Sequence, residues 1–419
     1  MNAFYLNKYR LLYGLLVLCI LLQNLFFHII NPSSTMTMLL LADIFLLWAV
    51  ALSLGYCKEC QFINKYIMAI MVCILIPQTI YGVFLGQNVN EYIDVVRRLT
   101  YILLAIPVLK LFLRDNGIDR VLNMITFYTV ISLGILLVNS FALNKLGTSL
   151  LPFDYFQMPS SGRNYRLRLF LISDLLSFVA IYAFSNIFHK NSKNRLLYIT
   201  AFAVTVGAEM YIEQTRMILM SIMASCVIIY TLWVQKKRYK VLLYILAVVL
   251  IGYGLIDNWF VGLFSSFSVS DSSTGVSTII RMIESRYAGQ LILQNPILGT
   301  GMVSNYLIPV SMSGYYVMFD HTDIGLLGSI TYIGFIGTAV LFIVPYIRFF
   351  KCVLRMPASK RKTRDYYFIS GLLTYITVTS LTILITDNAR LFVWPFTLAV
   401  FEYCQSKYFS NRDSNSSIG

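Results

Sequence analysis

The sequence predicts an all-α fold, a polytopic bundle of about twelve transmembrane helices. Of its 419 residues, 58% are hydrophobic and only 12% are charged, with a mean hydropathy of +0.71. Soluble domains carry about 25% charged residues. The apolar residues form blocks about 20 residues long, the length a helix needs to cross the hydrocarbon core. Because lipid offers no partner to an unpaired backbone amide, each block is expected to be helical.

Twelve such blocks follow one another along the chain. The fourth is short and contains Lys110, so it is the weakest of the set. The seventh and eighth are separated only by the tight turn 213–216. The first has no small-residue cleavage site after it, so we interpret it as a retained helix rather than a signal peptide. The predicted spans are 11–30, 36–55, 66–85, 99–113, 121–141, 169–188, 197–213, 217–234, 241–259, 323–347, 366–386 and 391–408.

These spans divide the chain into four parts. Residues 1–256 hold helices one to nine, and residues 323–409 hold helices ten to twelve. Between them lies a large, partly helical extracytoplasmic loop at 257–322. The polar residues 410–419 are predicted to form a disordered cytoplasmic tail.

Basic residues determine the predicted orientation. Short cytoplasmic loops collect Lys and Arg, and with the N-terminus inside, 23 of the 33 basic residues fall on the inner side. Both termini are then cytoplasmic. The net charge of +14 is mostly a consequence of this topology. It gives no support to nucleic-acid binding, because no basic stretch lies outside the short loops.

The outer side carries a different kind of basic residue. Nine of its ten basic residues are arginine, whereas the inner side has 13 lysines and 10 arginines. The planar fork of arginine binds phosphate or carboxylate through two hydrogen bonds, so this bias favours an anionic ligand such as a pyrophosphate. The alternative is that these residues pair with outer carboxylates or lipid headgroups. The set is Arg97, Arg98, Lys145, Arg163, Arg166, Arg168, Arg216, Arg281, Arg286 and Arg390.

Two outer loops contain most of the candidate site residues. The first, at about 142–168, ends in Arg166-Leu-Arg168, where the chain re-enters the membrane. An ordinary interfacial anchor is the alternative interpretation there. The second loop contains a predicted helix from Thr278 to Gln294, in which Arg281 or Arg286 can pair with Glu284.

The end of that predicted helix has a turn motif. Pro296 ends the helix, and the two glycines of Asn295-Pro-Ile-Leu-Gly-Thr-Gly301 permit a tight turn with close backbone approach. Further on, Asp320-His321-Thr322-Asp323 directly precedes predicted helix ten. A histidine can act as a general base near neutral pH. The alternative is a plain interfacial histidine.

The cysteines predict neither a disulfide framework nor a metal centre. None of the seven lies in a large outer loop, where disulfides would be expected. Cys57-Lys-Glu-Cys60 is a lone CxxC in a predicted cytoplasmic loop, and the whole chain has only three histidines to complete a zinc site. We therefore expect no metal and no cofactor.

The order of these motifs resembles the O-antigen polymerase and ligase family, which comprises the Wzy polymerases and the WaaL ligases. Thr215-Arg216 is similar to the family's Ser/Thr-Arg helix start, and Arg281 followed by 296–301 is similar to its arginine and Pro-x-x-Gly-x-Gly motif. His321 precedes a glycine-rich helix, where the family often has His-Asn. The resemblance covers roughly 207–340. Thr322 replaces that Asn, and Thr215 stands where the ligases commonly have Ser.

The resemblance implies a membrane glycosyltransferase that works outside the bacterial cytoplasmic (inner) membrane. Such enzymes transfer a glycan from undecaprenyl pyrophosphate to an acceptor sugar hydroxyl, and they are thought to need no metal. It implies His321 as the base and Arg216 and Arg281 as the catalytic arginines at the pyrophosphate. Asp320 or Asp323 would orient the histidine or replace it. The further substrate-binding candidates are Arg286, Arg166 and Arg168, and the outer-loop residues Tyr155, Tyr287, Tyr315 and Tyr316 would stack on sugars or belong to the interfacial aromatic belt.

A polymerase of lipid-linked repeat units is favoured over a ligase. The candidate partners are the lipid-linked glycan, the bilayer, a chain-length regulator and a flippase. Two other classes stay open. A transporter such as a flippase also has about twelve helices, but the chain shows no half-repeat and has a loop as long as 257–322. A non-catalytic assembly partner that binds the lipid-linked glycan is the other; an assay of glycan transfer distinguishes both from an enzyme.

Overall fold

The computed structural model describes residues 2–23, 35–55, 57–84, 89–148, 150, 173–188, 194–213, 216–234, 275–302, 309–312, 315–318, 324–381 and 391–409. Within these ranges the protein is mainly helical, as predicted, with one two-stranded antiparallel hairpin. The predicted ninth span, 241–259, and the predicted tail, 410–419, lie outside the described residues.

The described α-helices and strands are numbered in chain order. Short 3-10 segments at 58–60, 101–104 and 358–360 join or precede some of them, and π-helical turns occupy Met71–Leu75, Glu209–Glu213 and Ala339–Ile343. The elements are α1 (Asn2–Gln23), α2 (Thr35–Ser53), α3 (Gln61–Ile70), α4 (Ile76–Phe84), α5 (Val89–Thr100), α6 (Ala105–Phe112), α7 (Gly117–Leu146), α8 (Ser173–Ile187), α9 (Arg195–Ala208), α10 (Arg216–Trp233), α11 (Gly275–Gln294), β1 (Pro309–Met312), β2 (Tyr315–Met318), α12 (Gly325–Thr338), α13 (Val344–Arg355), α14 (Arg364–Thr379) and α15 (Val393–Phe409).

The apolar helices are those of a membrane protein. Within the described ranges, four helical stretches are long and apolar enough to cross a bilayer: Lys58–Phe84, Gly117–Leu143, Arg195–Ile212 and Gly325–Arg355. Shorter apolar helices cover Thr37–Ser53, Leu175–Ile187 and Met217–Trp233. These are fewer clear spans than the twelve predicted, so the full count stays a prediction.

Three elements differ from the predicted layout. Helix α5 falls in a segment that was predicted to be an outer loop, because its polar residues hide it from a search for long apolar blocks. Helix ten does not end at 347 but runs to Arg355 through α13. The hairpin was not predicted in an all-α fold. It pairs Val310 with Val317 and Ser311 with Tyr316, residue types that suit a pleated surface.

One part of the extended buried core lies where α8 packs against α14 and α15. The ring of Phe178 makes edge-on contacts with Phe368 and Phe396, with centroids 5.3 and 5.9 Å away. Tyr182 packs on Phe368 at 5.2 Å, and its hydroxyl donates to Asn123 Oδ1 at 3.3 Å. Burying large rings with geometry of this kind is a major source of packing energy.

A cluster of charges joins α7, α14 and α15 at their predicted cytoplasmic ends. Asp365 is buried and accepts from Lys407 Nζ at 3.0 Å and from the Tyr408 hydroxyl at 2.7 Å. Arg364 bridges Asp365 and Asp119, at 3.1 and 2.5 Å. Asp365 therefore joins α14 to α15 through two partners, and Arg364 joins α14 to α7.

Replacing this carboxylate should destabilise the bundle. Asp365→Asn leaves Arg364 and Lys407 half-buried without their shared anion, which costs about 3 kcal/mol. Thermal unfolding of the purified protein in detergent measures the effect. Asp115→Asn is the matched control, since Asp115 is exposed and should give a change below about 0.5 kcal/mol. Equal midpoints for the two variants would contradict this account of the cluster.

Candidate functional site

The structure describes only part of the predicted site. Arg216 begins α10, as its motif predicts, and Arg281 lies within α11; the side chains of both are outside the described residues. Arg286 is exposed and makes no ion pair with Glu284 or any other described carboxylate. Arg166, Arg168, Asp320, His321 and Asp323 lie outside the described ranges.

The predicted turn after α11 is present. Helix α11 ends at Gln294, directly before Asn295-Pro296. Gly299 and Gly301 have φ values of +74° and +96°, in the region that side chains with a Cβ rarely adopt. We refer to residues 295–302 as the docking turn, because its backbone bonds to a break in another helix.

That break lies inside α12, at Gly334, which has φ +69° and ψ −178°. On the side before the break, the amides of Thr300 and Gly301 donate to the carbonyl oxygens of Thr331 and Tyr332, at 2.8 and 3.1 Å. The break frees these carbonyls from their helical partners.

On the side after the break, the direction of donation is reversed. The amides of Phe335 and Ile336 donate to the carbonyl oxygens of Pro296 and Ile297, at 2.9 and 3.4 Å. The docking turn thus caps the C-terminal end of one half-helix and the N-terminal end of the other. Four backbone groups that the break exposes are satisfied without a side chain.

Two glycines allow the two backbones to approach this closely. A Cβ on Gly334 would lie 2.0 Å from the carbonyl oxygen of Ile297. A Cβ on Gly299 would lie 2.6 Å from the amide nitrogen of Gly334. Close backbone approach was predicted for the turn, and the partner is a broken helix of the same chain.

Gln78 also bonds to the docking turn. This side chain of α4 is 2% exposed. Its Nε2 donates to the carbonyl oxygen of Leu298 at 3.0 Å, and its Oε1 accepts from the amide of Met302 at 2.8 Å. One amide side chain therefore bonds to both ends of the glycine-containing segment. Sequence reasoning missed Gln78, although a Gln within a predicted span was a visible signal.

Side chains also tie the two halves of the broken helix together. The hydroxyl oxygens of Ser329 and Thr338 lie 3.0 Å apart across the break, and both residues are buried. Further along, the π-helical turn 339–343 presents the carbonyl of Leu341, which accepts from the Tyr66 hydroxyl at 2.7 Å. Trp394 Nε1 donates to the same hydroxyl at 3.2 Å. We refer to α12, the π-helical turn and α13 together as the rod. The irregular backbone of the rod thus finds hydrogen-bond partners inside the protein.

These bonds limit what the docking turn can do chemically. Free amides at a helix N-terminus form a natural anion site, but the amides of Phe335 and Ile336 are already bonded to the turn. The amides of Thr300 and Gly301 are likewise bonded to α12. The turn therefore acts as a scaffold rather than as a phosphate cradle.

The scaffold places α11 against the start of α12. Ala288 and Ile324 are buried together, with Tyr287, Leu291 and Leu327 packed around them. Glu284 lies one turn before Ala288 and is only 4% exposed. A buried carboxylate three residues after Arg281 is suitably spaced for the predicted ion pair along the helix.

A second buried carboxylate lies just before Arg216. Glu209 begins the π-helical turn 209–213 and is 1% exposed. Ionisable residues within apolar helices are costly and usually functional, and π-helical turns are frequent at functional sites. Sequence reasoning missed Glu209, though an acidic residue inside a predicted span is the signal that identifies it.

The outer arginines do not all behave alike. Arg97 Nε donates to Asp43 Oδ2 at 2.7 Å, and the Tyr101 hydroxyl donates to Asp43 Oδ1 at 2.9 Å. Arg97 is therefore paired with a carboxylate, but with one inside the predicted second span rather than with one of an outer loop. The adjacent Arg98 has a buried Nε with no hydrogen-bond partner in the described part of the chain. Arg98 keeps a donor for another acceptor.

The CxxC segment is described in full. Cys57 Sγ lies 3.4 Å from Glu59 Oε2, and Cys60 is buried and unoxidised. No group of three or more potential metal ligands occurs within the described ranges.

Comparison with known proteins assigns no family. No model of a known protein family matches the chain, and no curated protein matches it.

Filling the space at the break should undock the turn. Gly334→Ala places a Cβ against Ile297 in a backbone conformation available essentially only to glycine, at a cost on the order of 3 kcal/mol. Thermal unfolding in detergent tests this. Gly134→Ala is the matched control, because Gly134 is helical with no atom within 4 Å of an added Cβ. A midpoint as high for Gly334→Ala as for Gly134→Ala would argue against the docked geometry.

Removing the Gln78 side-chain amide should loosen the same turn. Gln78→Leu keeps the side-chain size but removes both hydrogen bonds, with an expected loss of about 1–3 kcal/mol. Faster proteolysis after residue 294 and a lower unfolding midpoint are the readouts. Gln290→Leu serves as control, since Gln290 is exposed on α11. If both variants resisted protease like the parent chain, Gln78 would not be holding the turn.

Proposed function

We propose that the chain polymerises undecaprenyl-pyrophosphate-linked repeat units into O-antigen or capsular polysaccharide on the extracytoplasmic face of a bacterial membrane. The topology that goes with this function has twelve crossings and both termini in the cytoplasm. The observation that carries the proposal is the motif order of Arg216, Arg281 with 295–301, and His321, together with the bonding of the docking turn to the helix that follows His321.

The depth of the docking turn supports a site at the outer membrane face. Gly334 is nine residues inside α12, about 13 Å from its start at 1.5 Å per residue. With the predicted topology, the break lies in the outer half of the bilayer. Ile297 and Leu298 are 60% and 49% exposed, which suits apolar side chains that face lipid. The turn is then re-entrant from the outer side, and the pyrophosphate of a lipid-linked substrate lies above it, in the headgroup layer of the outer leaflet.

Packing beside the turn supports a shared location for the histidine and one arginine. Ile324 is buried against Ala288. His321 precedes Ile324 by three residues, which span at most about 11 Å of chain. Arg281 precedes Ala288 by seven residues, about 10 Å along α11. Both predicted catalytic residues are therefore within a short stretch of chain of the contact between Ala288 and Ile324.

In the proposed reaction the acceptor hydroxyl oxygen attacks the anomeric carbon of the donor glycan. The bond from that carbon to the pyrophosphate oxygen breaks, and His321 takes the hydroxyl proton, with Asp320 or Asp323 orienting it. Arg216 and Arg281 stabilise the charge that develops on the departing pyrophosphate. Buried Glu284 would hold the Arg281 fork in place, and Arg98, Arg166, Arg168 and Arg286 would supply further donors.

A product assay tests the reaction. The purified protein is incubated with lipid-linked repeat units, and the products are separated on a gel. A ladder of chain lengths supports polymerisation, whereas a single transfer onto a lipid A core would indicate a ligase. Absence of any transfer from a correctly oriented substrate would contradict both enzymes and favour a transporter or assembly partner.

The arginine fork makes a sharper prediction. Arg216→Lys and Arg281→Lys keep the charge but lose the bidentate geometry, so each should lower the polymerisation rate about 100-fold, as loss of one transition-state donor does. Arg195→Lys is the matched control, because Arg195 is exposed at the predicted cytoplasmic start of α9. Full activity of both outer variants at normal expression would show that the fork is not needed.

A further inference from the structure

A cavity of about 370 Å³ opens at the opposite, predicted cytoplasmic, end of the rod formed by α12 and α13. Three helices line it: α3 contributes Phe62, α13 contributes Val344, Ile347, Arg348, Lys351 and Arg355, and α15 contributes Phe409. The α13 residues recur every three or four positions, so they form one stripe on that helix. Neither the motifs nor the proposed reaction uses this cavity.

The basic residues of the stripe have capacity for an anion. Arg348 forms a two-point ion pair with buried Glu402, and its guanidinium carbon lies 4.1 Å above the Phe62 ring. Its Nη1 makes no hydrogen bond to any described residue. Lys351 and Arg355 are exposed, and no described carboxylate pairs with either. Two uncompensated cations and one free guanidinium nitrogen therefore face one cavity.

The position of the stripe along the rod indicates the kind of anion. The part of the rod after the break at Gly334, residues 335–355, is 21 residues, about 31 Å long, which matches the roughly 30 Å thickness of the hydrocarbon core. Because the predicted topology places the break inside the bilayer, the basic end of this part reaches the headgroup layer on the cytoplasmic side. Val344, Ile347 and Leu354 are 47%, 48% and 57% exposed, so apolar surface continues from the cavity along the helix.

We infer that this cavity binds the headgroup of an anionic glycerophospholipid. The phosphodiester accepts hydrogen bonds from Lys351, Arg355 and the free Nη1 of Arg348, and the acyl chains lie along Val344 and Ile347. Basic pockets between transmembrane helices on the cytoplasmic side suit such headgroups. Inorganic phosphate would use only half of the lining, because Phe62, Val344, Ile347 and Phe409 offer it nothing. The bound lipid joins α3, α13 and α15.

The test uses the full-length protein in a neutral detergent, with lipid binding followed by native mass spectrometry. Phosphatidylglycerol, phosphatidylcholine and inorganic phosphate are titrated separately. The variant Lys351→Gln/Arg355→Gln removes the two unpaired cations and leaves the Arg348–Glu402 pair intact. Lys65→Gln/Lys360→Gln is the matched control, since it removes two exposed lysines that do not line the cavity.

The parent chain should retain one phosphatidylglycerol in preference to phosphatidylcholine and should not retain inorganic phosphate. Lys351→Gln/Arg355→Gln should bind phosphatidylglycerol roughly 25-fold more weakly, about fivefold for each basic side chain. The control variant should bind as the parent does. Equal loss in both variants, equal retention of the two lipids, or tight binding of inorganic phosphate alone would each overturn the inference.

Discussion

A helix that breaks inside a membrane must find new partners for the backbone groups that the break exposes. In this protein the break at Gly334 is filled by another stretch of backbone, the docking turn. The turn donates to Thr331 and Tyr332 and accepts from Phe335 and Ile336. Each unsatisfied group would cost several kcal/mol in lipid, so the broken helix and the turn are stable only together.

The other features near the predicted site depend on these hydrogen bonds between the docking turn and the broken helix. Gln78 bonds the turn from α4. Because the turn directly follows α11, its docking also brings α11 against the start of α12, where Ala288 meets Ile324. That contact links two residues of the proposed site: Arg281 is on α11, and His321 is four residues before the start of α12. The glycine-rich segment thus has a structural role, and in the proposed reaction arginine side chains would bind the pyrophosphate.

Features that depend on neighbouring residues are predicted from the sequence, whereas contacts between residues far apart in the chain are not. Apolar blocks are local, so helices such as α9 and α10 lie within a few residues of their predicted bounds. The stop at Pro296 is local too, and the end of α11 at Gln294 follows from it. The break in α12 is different, because its partner in the turn is over 30 residues away. Gln78 is more than 200 residues away from the turn.

The candidate site also has residues that the sequence identifies and pairings that it does not reveal. Motif order along the chain names Arg216, Arg281 and His321, but it does not say which outer arginines are already paired. Arg97 is one of the outer arginines, yet it already forms an ion pair with Asp43, 54 residues away in the sequence. Glu209 is visible in the sequence as an acidic residue inside a predicted span, but its surroundings are not. Long-range pairing of polar groups is therefore what sequence patterns miss here.

The break itself is open to a direct measurement. In a continuous helix Ser329 and Thr338 would lie about 13 Å apart, too far for a disulfide, whereas their hydroxyl oxygens here are 3.0 Å apart. Ser329→Cys/Thr338→Cys, in a chain whose native cysteines are replaced by alanine, should form a disulfide on oxidation with iodine, identified by mass spectrometry. The pair Ser132→Cys/Phe141→Cys has the same spacing on unbroken α7 and should not cross-link. Failure of the first pair to cross-link, or equal cross-linking of both, would contradict a break held open by the docking turn.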